Sequence, residues 1–188
     1  MKKLYLVRHG ETLFNTKFIV QGQCDSPLTE NGHHQAKTAK KLLEENNIIF
    51  DHAYCSYMHR TEETLQEITD MPYERSNGLN ERSYGTMEGE SRSIADHLTF
   101  EERSRFYELC GGEKAEDMVN RITTFLTDTM NKDDHQSVLC VSHGAAMSYF
   151  LYHVAPDNNI TRLENCHILE FDYDGAFHFV KDYIPKND

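Results

Sequence analysis

Lys3-Leu4-Tyr5-Leu6-Val7-Arg8-His9-Gly10-Glu11-Thr12-Leu13-Phe14-Asn15 sets the architecture of this chain. Residues 3–7 form a short apolar run that reads as a buried strand. Its end delivers an arginine and a histidine into a glycine turn. In open α/β sheets, ligands bind beyond the carboxyl ends of the strands. Arg8 offers a rigid fork of donors that matches phosphate oxygens. An imidazole such as His9 titrates near about 6.5 when unperturbed, so it is largely neutral at physiological pH and able to attack. Gly10 is expected to let the backbone approach an anion closely. Alone this motif is weak, because a histidine beside an arginine at a strand end is commonly a satisfied polar residue. A second apolar run, Val138-Leu139-Cys140-Val141, changes that: it too ends in His-Gly, within Ser142-His143-Gly144-Ala145-Ala146. Parallel strands lying side by side would bring the two imidazoles into one pocket.

The surrounding segments resemble the histidine phosphatase superfamily, in its phosphoglycerate mutase-like branch. The likeness rests on Arg8-His9-Gly10-Glu11-Thr12 with Asn15, on Gln21-Gly22 through Asp25-Ser26-Pro27-Leu28-Thr29, and on Ser56 through Arg60. It continues through Leu79-Asn80-Glu81-Arg82-Ser83-Tyr84-Gly85 with Glu88-Gly89, then Gly111-Gly112-Glu113 with Arg121, and ends at Val141-Ser142-His143-Gly144. Six segments in the family's order cover roughly residues 3–146. Thr61-Glu62-Glu63-Thr64 departs from the pattern, since the family more often has small residues and a glutamine after the arginine.

Composition bounds the partners. The 188 residues carry 31 acidic and 19 basic side chains, a net charge of −12, which argues against a nucleic-acid or anionic-membrane surface. It also gives weight to any local cluster of arginines. Cys24, Cys55, Cys110, Cys140 and Cys166 include no CxxC pair, and their odd number fits reduced structural thiols in a cytoplasmic protein. No signal peptide and no apolar run near the roughly 20 residues of a membrane span are found. Asn159-Ile160-Thr161 fits a glycosylation acceptor but has no meaning without secretion.

Along the chain, Thr29 is expected to open a helix that carries Ala36, Ala39, Leu42 and Leu43 on one face and stops at Asn46-Asn47. Ala53-Tyr54-Cys55 reads as a short strand, with Ser56 as N-cap of the next helix and Arg60 in its first turn. Leu79 is expected in extended chain before Glu81. Residues 86–112 read as a short helical lid insertion. Its helix is opened by a Thr99/Glu102 capping box and stopped by Gly111, and Ile94, Leu98, Phe106 and Leu109 either pack down or touch substrate. Met118, Ile122, Phe125, Leu126 and Met130 share a core-facing stripe that begins after Glu113. Residues 145–154 form a helix, and two alternating runs flank a hairpin at Asp174-Gly175. Alternating strands and helices with a terminal hairpin imply a three-layer α/β/α sandwich with a mostly parallel mixed sheet, and the resemblance makes it phosphoglycerate mutase-like. The whole chain, 1–188, is expected to be one domain.

The resemblance implies that His9 is the nucleophile of a phosphohistidine intermediate. Arg8, Arg60 and a protonated His143 would hold the phosphoryl oxygens, whose charge spreads in the transition state. Asn15, the Gln21-Gly22 turn and Gly144 would complete the substrate contacts. Glu81 would be the general acid and then the base, with a dianion nearby keeping its proton available. Glu11 is expected to be structural. No metal and no cofactor are required: His33 and His34 point apart on a helix, and His52, His59, His97, His135, His153, His167 and His178 read as surface or packing residues, with no metal-ligand spacing among them.

The favoured activity is a cytoplasmic phosphatase acting on small phosphorylated metabolites, as a monomer or homodimer. A cofactor-dependent phosphoglycerate mutase would use the same residues but keep the phosphoryl group for re-transfer. Against it, the chain is short for a mutase, ends soon after the hairpin, and has Ser104 between Arg103 and Arg105 where a carboxylate clamp would want adjacent arginines. A non-catalytic module that kept the fold is disfavoured by the intact Arg8, His9, Arg60, Glu81 and His143.

Overall fold

The computed structural model describes residues 1–186. Six strands form one sheet in the order β3-β2-β4-β1-β5-β6. In sequence these are β1 (Lys2–Arg8), β2 (His52–Cys55), β3 (Glu74–Arg75), β4 (Ser137–Ser142), β5 (Ile168–Tyr173) and β6 (Phe177–Tyr183). Strands β3, β2, β4 and β1 are mutually parallel, and β5 runs antiparallel to both β1 and β6. The sheet is therefore mixed and mostly parallel, as expected.

Side chains alternate across a strand, so β1 feeds two cores. Leu4 and Leu6 join Met118, Ile122, Leu126 and Met130 of α5 (Ala115–Asn131) and Ala146, Met147, Phe150 and Leu151 of α6 (Gly144–Val154). Tyr5 and Val7 face the other way, onto Ala36, Ala39 and Leu43 of α2 (Glu30–Glu45) and Leu65 and Ile68 of α3 (His59–Ile68). Two helices on each face give the three layers. Helix α2 starts where its sequence says it should, with Thr29 Oγ1 accepting from Gly32 N. The hairpin between β5 and β6 turns at Gly175, whose φ of +109° suits glycine.

Two local expectations are corrected. Ser56 does not cap α3: the helix begins after Met58, because the Ser56 hydroxyl is already engaged with Met58 N, Thr61 and His143. Leu79 is not extended but ends a short 3₁₀ turn, Asn77–Leu79, capped by Ser76.

The segment 86–112 folds as expected into short turns and α4 (Phe100–Leu109), with the Thr99/Glu102 capping box in place and Gly111 at φ +82° after the helix. Leu98 and Phe106 pack with Met87, Ala95 and Tyr107 in a small cluster of their own. Ile94 and Leu109 remain exposed. Buried Arg82 ties α4 to the body of the protein through Ser104, Glu108 and the Glu113 carbonyl. The short helix α1 (Leu13–Thr16), capped reciprocally by Thr12 and Asn15, follows the first His-Gly turn.

Candidate active site

The register of β1 against β4 pairs Val7 with Val141 and Arg8 with Ser142. His9 and His143 therefore leave adjacent strand ends together, and their rings lie 5.3 Å apart, centre to centre. Beyond them opens a pocket of about 650 Å³. Arg8, His9, Asn15, Gln21, Gly22, Arg60, Glu81 and Gly144, all proposed from sequence, line it.

His9 is buried, and its Nδ1 lies 2.8 Å from the Gly10 carbonyl. A carbonyl can only accept, so Nδ1 carries the hydrogen and Nε2 keeps its lone pair. Burial first, then the charges of Arg60 and Arg8, hold the His9 pKa well below the usual imidazole range. The ring is thus fixed as a neutral base with one free nitrogen.

Arg8 donates to the Leu163 carbonyl at 2.6 Å, while its buried Nε has no protein partner among the described residues. Burial also lowers its pKa. A Cβ on Gly144 would stand 3.3 Å from that Nε, so the glycine leaves the room that the guanidinium occupies. Arg60 is fully buried and already committed. Nη1 donates to the Cys24 carbonyl and Asp25, Nη2 to the Gly22 carbonyl at 2.7 Å, and Nε to His143 Nδ1 at 3.2 Å. Of its five N–H donors one remains, on Nη2.

His143 departs from expectation. It is fully buried and lies behind the pocket wall rather than on it. Its Nδ1 accepts from Arg60, which leaves the hydrogen on Nε2, toward Ser56 Oγ at 2.8 Å. Burial and the nearby Arg60 push its pKa well down. It is neutral, not protonated, and both nitrogens are satisfied.

Glu81 accepts from Ala146 N on Oε1 (2.9 Å) and from Ala145 N on Oε2 (3.0 Å), with Arg82 N also on Oε1. It sits on the positive end of α6, where a carboxylate is favoured. Asn15 uses its oxygen to accept from Thr12 N and Asn165, so only its amide nitrogen can serve a ligand. The Gln21 side chain bridges Thr12 and Ser26, which holds the loop and leaves one amide N–H of Nε2 uncommitted. Gly10 has a different reason from the one expected, since a Cβ there would meet the Gly32 carbonyl oxygen at 2.6 Å. The turn packs on α2. Glu11 is structural as expected, accepting from Thr29 Oγ1.

Several further residues were given no place in the site from sequence. Thr64, part of the departure from the family pattern, accepts from Gly10 N and donates to the Arg60 carbonyl, so it ties the turn after His9 to the start of α3. Arg121 pairs with Glu113 and donates to the carbonyls of Asn77, Gly78 and Asn80, fixing the approach to Glu81. Arg92 and Arg103 from the segment 86–112, and Arg162 from the chain before β5, also line the pocket, with Phe100 and Tyr149 stacked 5.4 Å apart. The pocket walls hold six arginines (8, 60, 82, 92, 103, 162) against the carboxylates Glu81 and Asp96, a local reversal of the −12 overall charge. Arginines in an acidic chain were a usable signal for Arg92 and Arg103; nothing local marked Arg162.

Comparison with known proteins finds relatives of this fold. Residues 4–183 match the family model described as the histidine phosphatase superfamily (branch 1). A 2,3-bisphosphoglycerate-dependent phosphoglycerate mutase of Bacteroides fragilis is 41% identical over 99 residues, a match that spans 50% of this chain and only 40% of that relative. Among solved structures, phosphoglycerate mutase from Bacillus anthracis superposes with a TM-score of 0.83 at 24% identity, covering 95% of this chain and 91% of that one. Phosphoserine phosphatase from Entamoeba histolytica, solved with phosphoserine, gives 0.78 at 26% identity over 97% and 96% of the two chains.

Proposed function

Since this chain belongs to the histidine phosphatase superfamily, whose relatives here include both phosphatases and mutases, we propose that it is a phosphatase of small phosphomonoesters working through a phosphohistidine on His9. The observation that carries this reading is the fixed tautomer of His9. With Nδ1–H committed to Gly10, Nε2 needs to lose no proton before attack.

The steps follow from the donors in place. His9 Nε2 forms a bond to phosphorus as the ester P–O bond breaks. Glu81, entering as the acid, gives its proton to the departing alkoxide. Three of its four lone-pair sites accept backbone N–H groups, which leaves one, on Oε2, for that proton. Arg8 Nε and the remaining Arg60 Nη2 hydrogen meet the non-bridging oxygens, where charge accumulates. His143 acts through Arg60, whose Nε it holds. Water then attacks the phosphohistidine, Glu81 takes its proton, and phosphate leaves neutral His9 behind. A pocket of about 650 Å³ leaves room for that water. The chemistry needs no metal and no cofactor, and we place it in the cytoplasm. None of the described helices is long and apolar enough to cross a membrane. The segment 86–112 is read as a lid over the substrate.

The mutase reading is favoured by the partial match to the bisphosphoglycerate-dependent enzymes. Against it, Arg103 reaches the pocket whereas Arg105 is exposed outside it, so the two do not form a clamp. The test is phosphate release from a panel of phosphomonoesters, 3-phosphoglycerate included, with the His9→Ala protein in parallel. Release that vanishes in the variant supports the phosphatase. Conversion of 3- to 2-phosphoglycerate without net release, primed by bisphosphoglycerate, would replace it with the mutase.

A further inference from the structure

The chain between α6 and β5 folds back over the turn that carries His9. Arg8 Nη1 donates to the Leu163 carbonyl at 2.6 Å, and Cys166 N donates to the Arg8 carbonyl at 3.1 Å. Cys166 has φ +58°, in the left-handed region that a residue other than glycine occupies only where its surroundings hold it. Between Leu163 and Cys166, the half-buried Asn165 points its amide nitrogen at two acceptors. Nδ2 donates to the His9 carbonyl at 3.0 Å and to Asn15 Oδ1 at 3.3 Å. Asn15 Oδ1 also accepts from Thr12 N at 3.1 Å.

Donor and acceptor identities run in one direction along these contacts. The His9 carbonyl can only accept, so the Asn165 group that faces it is the NH₂. One hydrogen of that NH₂ goes to His9, and the other is left for Asn15, whose facing group must then be its oxygen. With Oδ1 held by both Thr12 N and Asn165, the Asn15 NH₂ is turned toward the pocket that Asn15 lines. The last torsion of an asparagine is broad and roughly two-fold, so its neighbours decide which end points where. Turned over, Asn15 would set its NH₂ against two donors and its oxygen against a phosphoryl dianion.

We propose that Asn165 is a positioning residue for phosphate binding, holding Asn15 with its amide N–H groups aimed at the phosphoryl oxygens. This rests on the reading of the pocket as a phosphoryl site. Asn165 is not among the residues that line the pocket, so it acts through Asn15. The same NH₂ ties Asn15 to the His9 backbone, which sets the neutral donor and the nucleophile in one frame.

Calorimetry of inorganic phosphate binding to the full chain tests this without reference to any turnover. Asn165→Leu keeps the shape of the side chain and removes both donors. It is expected to weaken phosphate about fivefold in the native background and less than about twofold in Asn15→Ala. Asn165→Ala repeats the cycle with a smaller side chain, and thermal melting identifies any variant that has lost the fold. A merely structural contact would weaken binding by the same factor in both backgrounds; that result, or no loss in either, overturns the proposal. A native chain that binds phosphate yet releases none from any ester refutes the phosphatase alone, and the cycle still decides the role of Asn165. A native chain that binds no phosphate overturns both.

Discussion

His9 and Gly144 show how single atoms set what the pocket can do. The Gly10 carbonyl fixes the His9 tautomer, and burial beside Arg60 and Arg8 keeps the ring neutral. The acid limb of kcat/KM should therefore not follow an ordinary imidazole: activity persists below about pH 6.5. A pH profile of the free enzyme checks this, and a loss centred on the ordinary imidazole value would count against a neutralised His9. Gly144 faces Arg8 Nε across a gap that a methyl group would narrow to 3.3 Å. Gly144→Ala should displace the guanidinium and lower kcat/KM by about tenfold to a hundredfold, some 1.4–2.7 kcal/mol of transition-state stabilisation. Thermal melting should barely move, which separates a lost phosphate contact from a lost fold.

Elements explain why the site is rigid. The turn after β1 is packed on α2 through Gly10 and Gly32, and held on α3 through Thr64. Gly10→Ala forces backbone apart and should cost about 1–3 kcal/mol by urea unfolding. Thr64→Val keeps the shape but leaves the Gly10 N–H without its acceptor, again about 1–3 kcal/mol, and should lower kcat as the His9 loop loosens. These contacts mark where sequence reading ended. Strand ends carrying His9 and His143, the start of α2 at Thr29 and the capping box at Thr99 were legible because each is a local pattern with a local cause. Ser56 failed as a cap because its hydroxyl is claimed by His143, 87 residues away. Protonation of His143 was misread for the same reason: its partner Arg60 reaches it only through the fold.

Across the whole molecule, two buried imidazoles make stability depend on pH. Both His9 and His143 are held below their unfolded pKa of about 6.5. Below that pH the unfolded chain binds protons that the folded chain refuses, so unfolding free energy rises with pH there. The stability is full above about pH 6.5 and is lost as pH falls toward the depressed folded values, by up to about 1.4 kcal/mol per pH unit for each ring. Urea titrations from about pH 7.5 to 5.5 should show a shallower slope for His143→Gln than for the native chain; equal slopes would refute the coupling. At the same scale, six pocket arginines in an acidic chain make anion capture dependent on screening. Arg103→Ala should raise KM for substrates bearing a second anionic group more than for those without one.

The central claim is covalent: His9 carries the phosphoryl group. Rapid quenching at alkaline pH during turnover of the best phosphomonoester, followed by intact-mass and peptide analysis, reads it directly. One acid-labile phosphoryl group per chain, located on His9 and absent from His9→Ala, is the predicted result. Turnover at full rate with no phosphohistidine, or with the label on another residue, would contradict it.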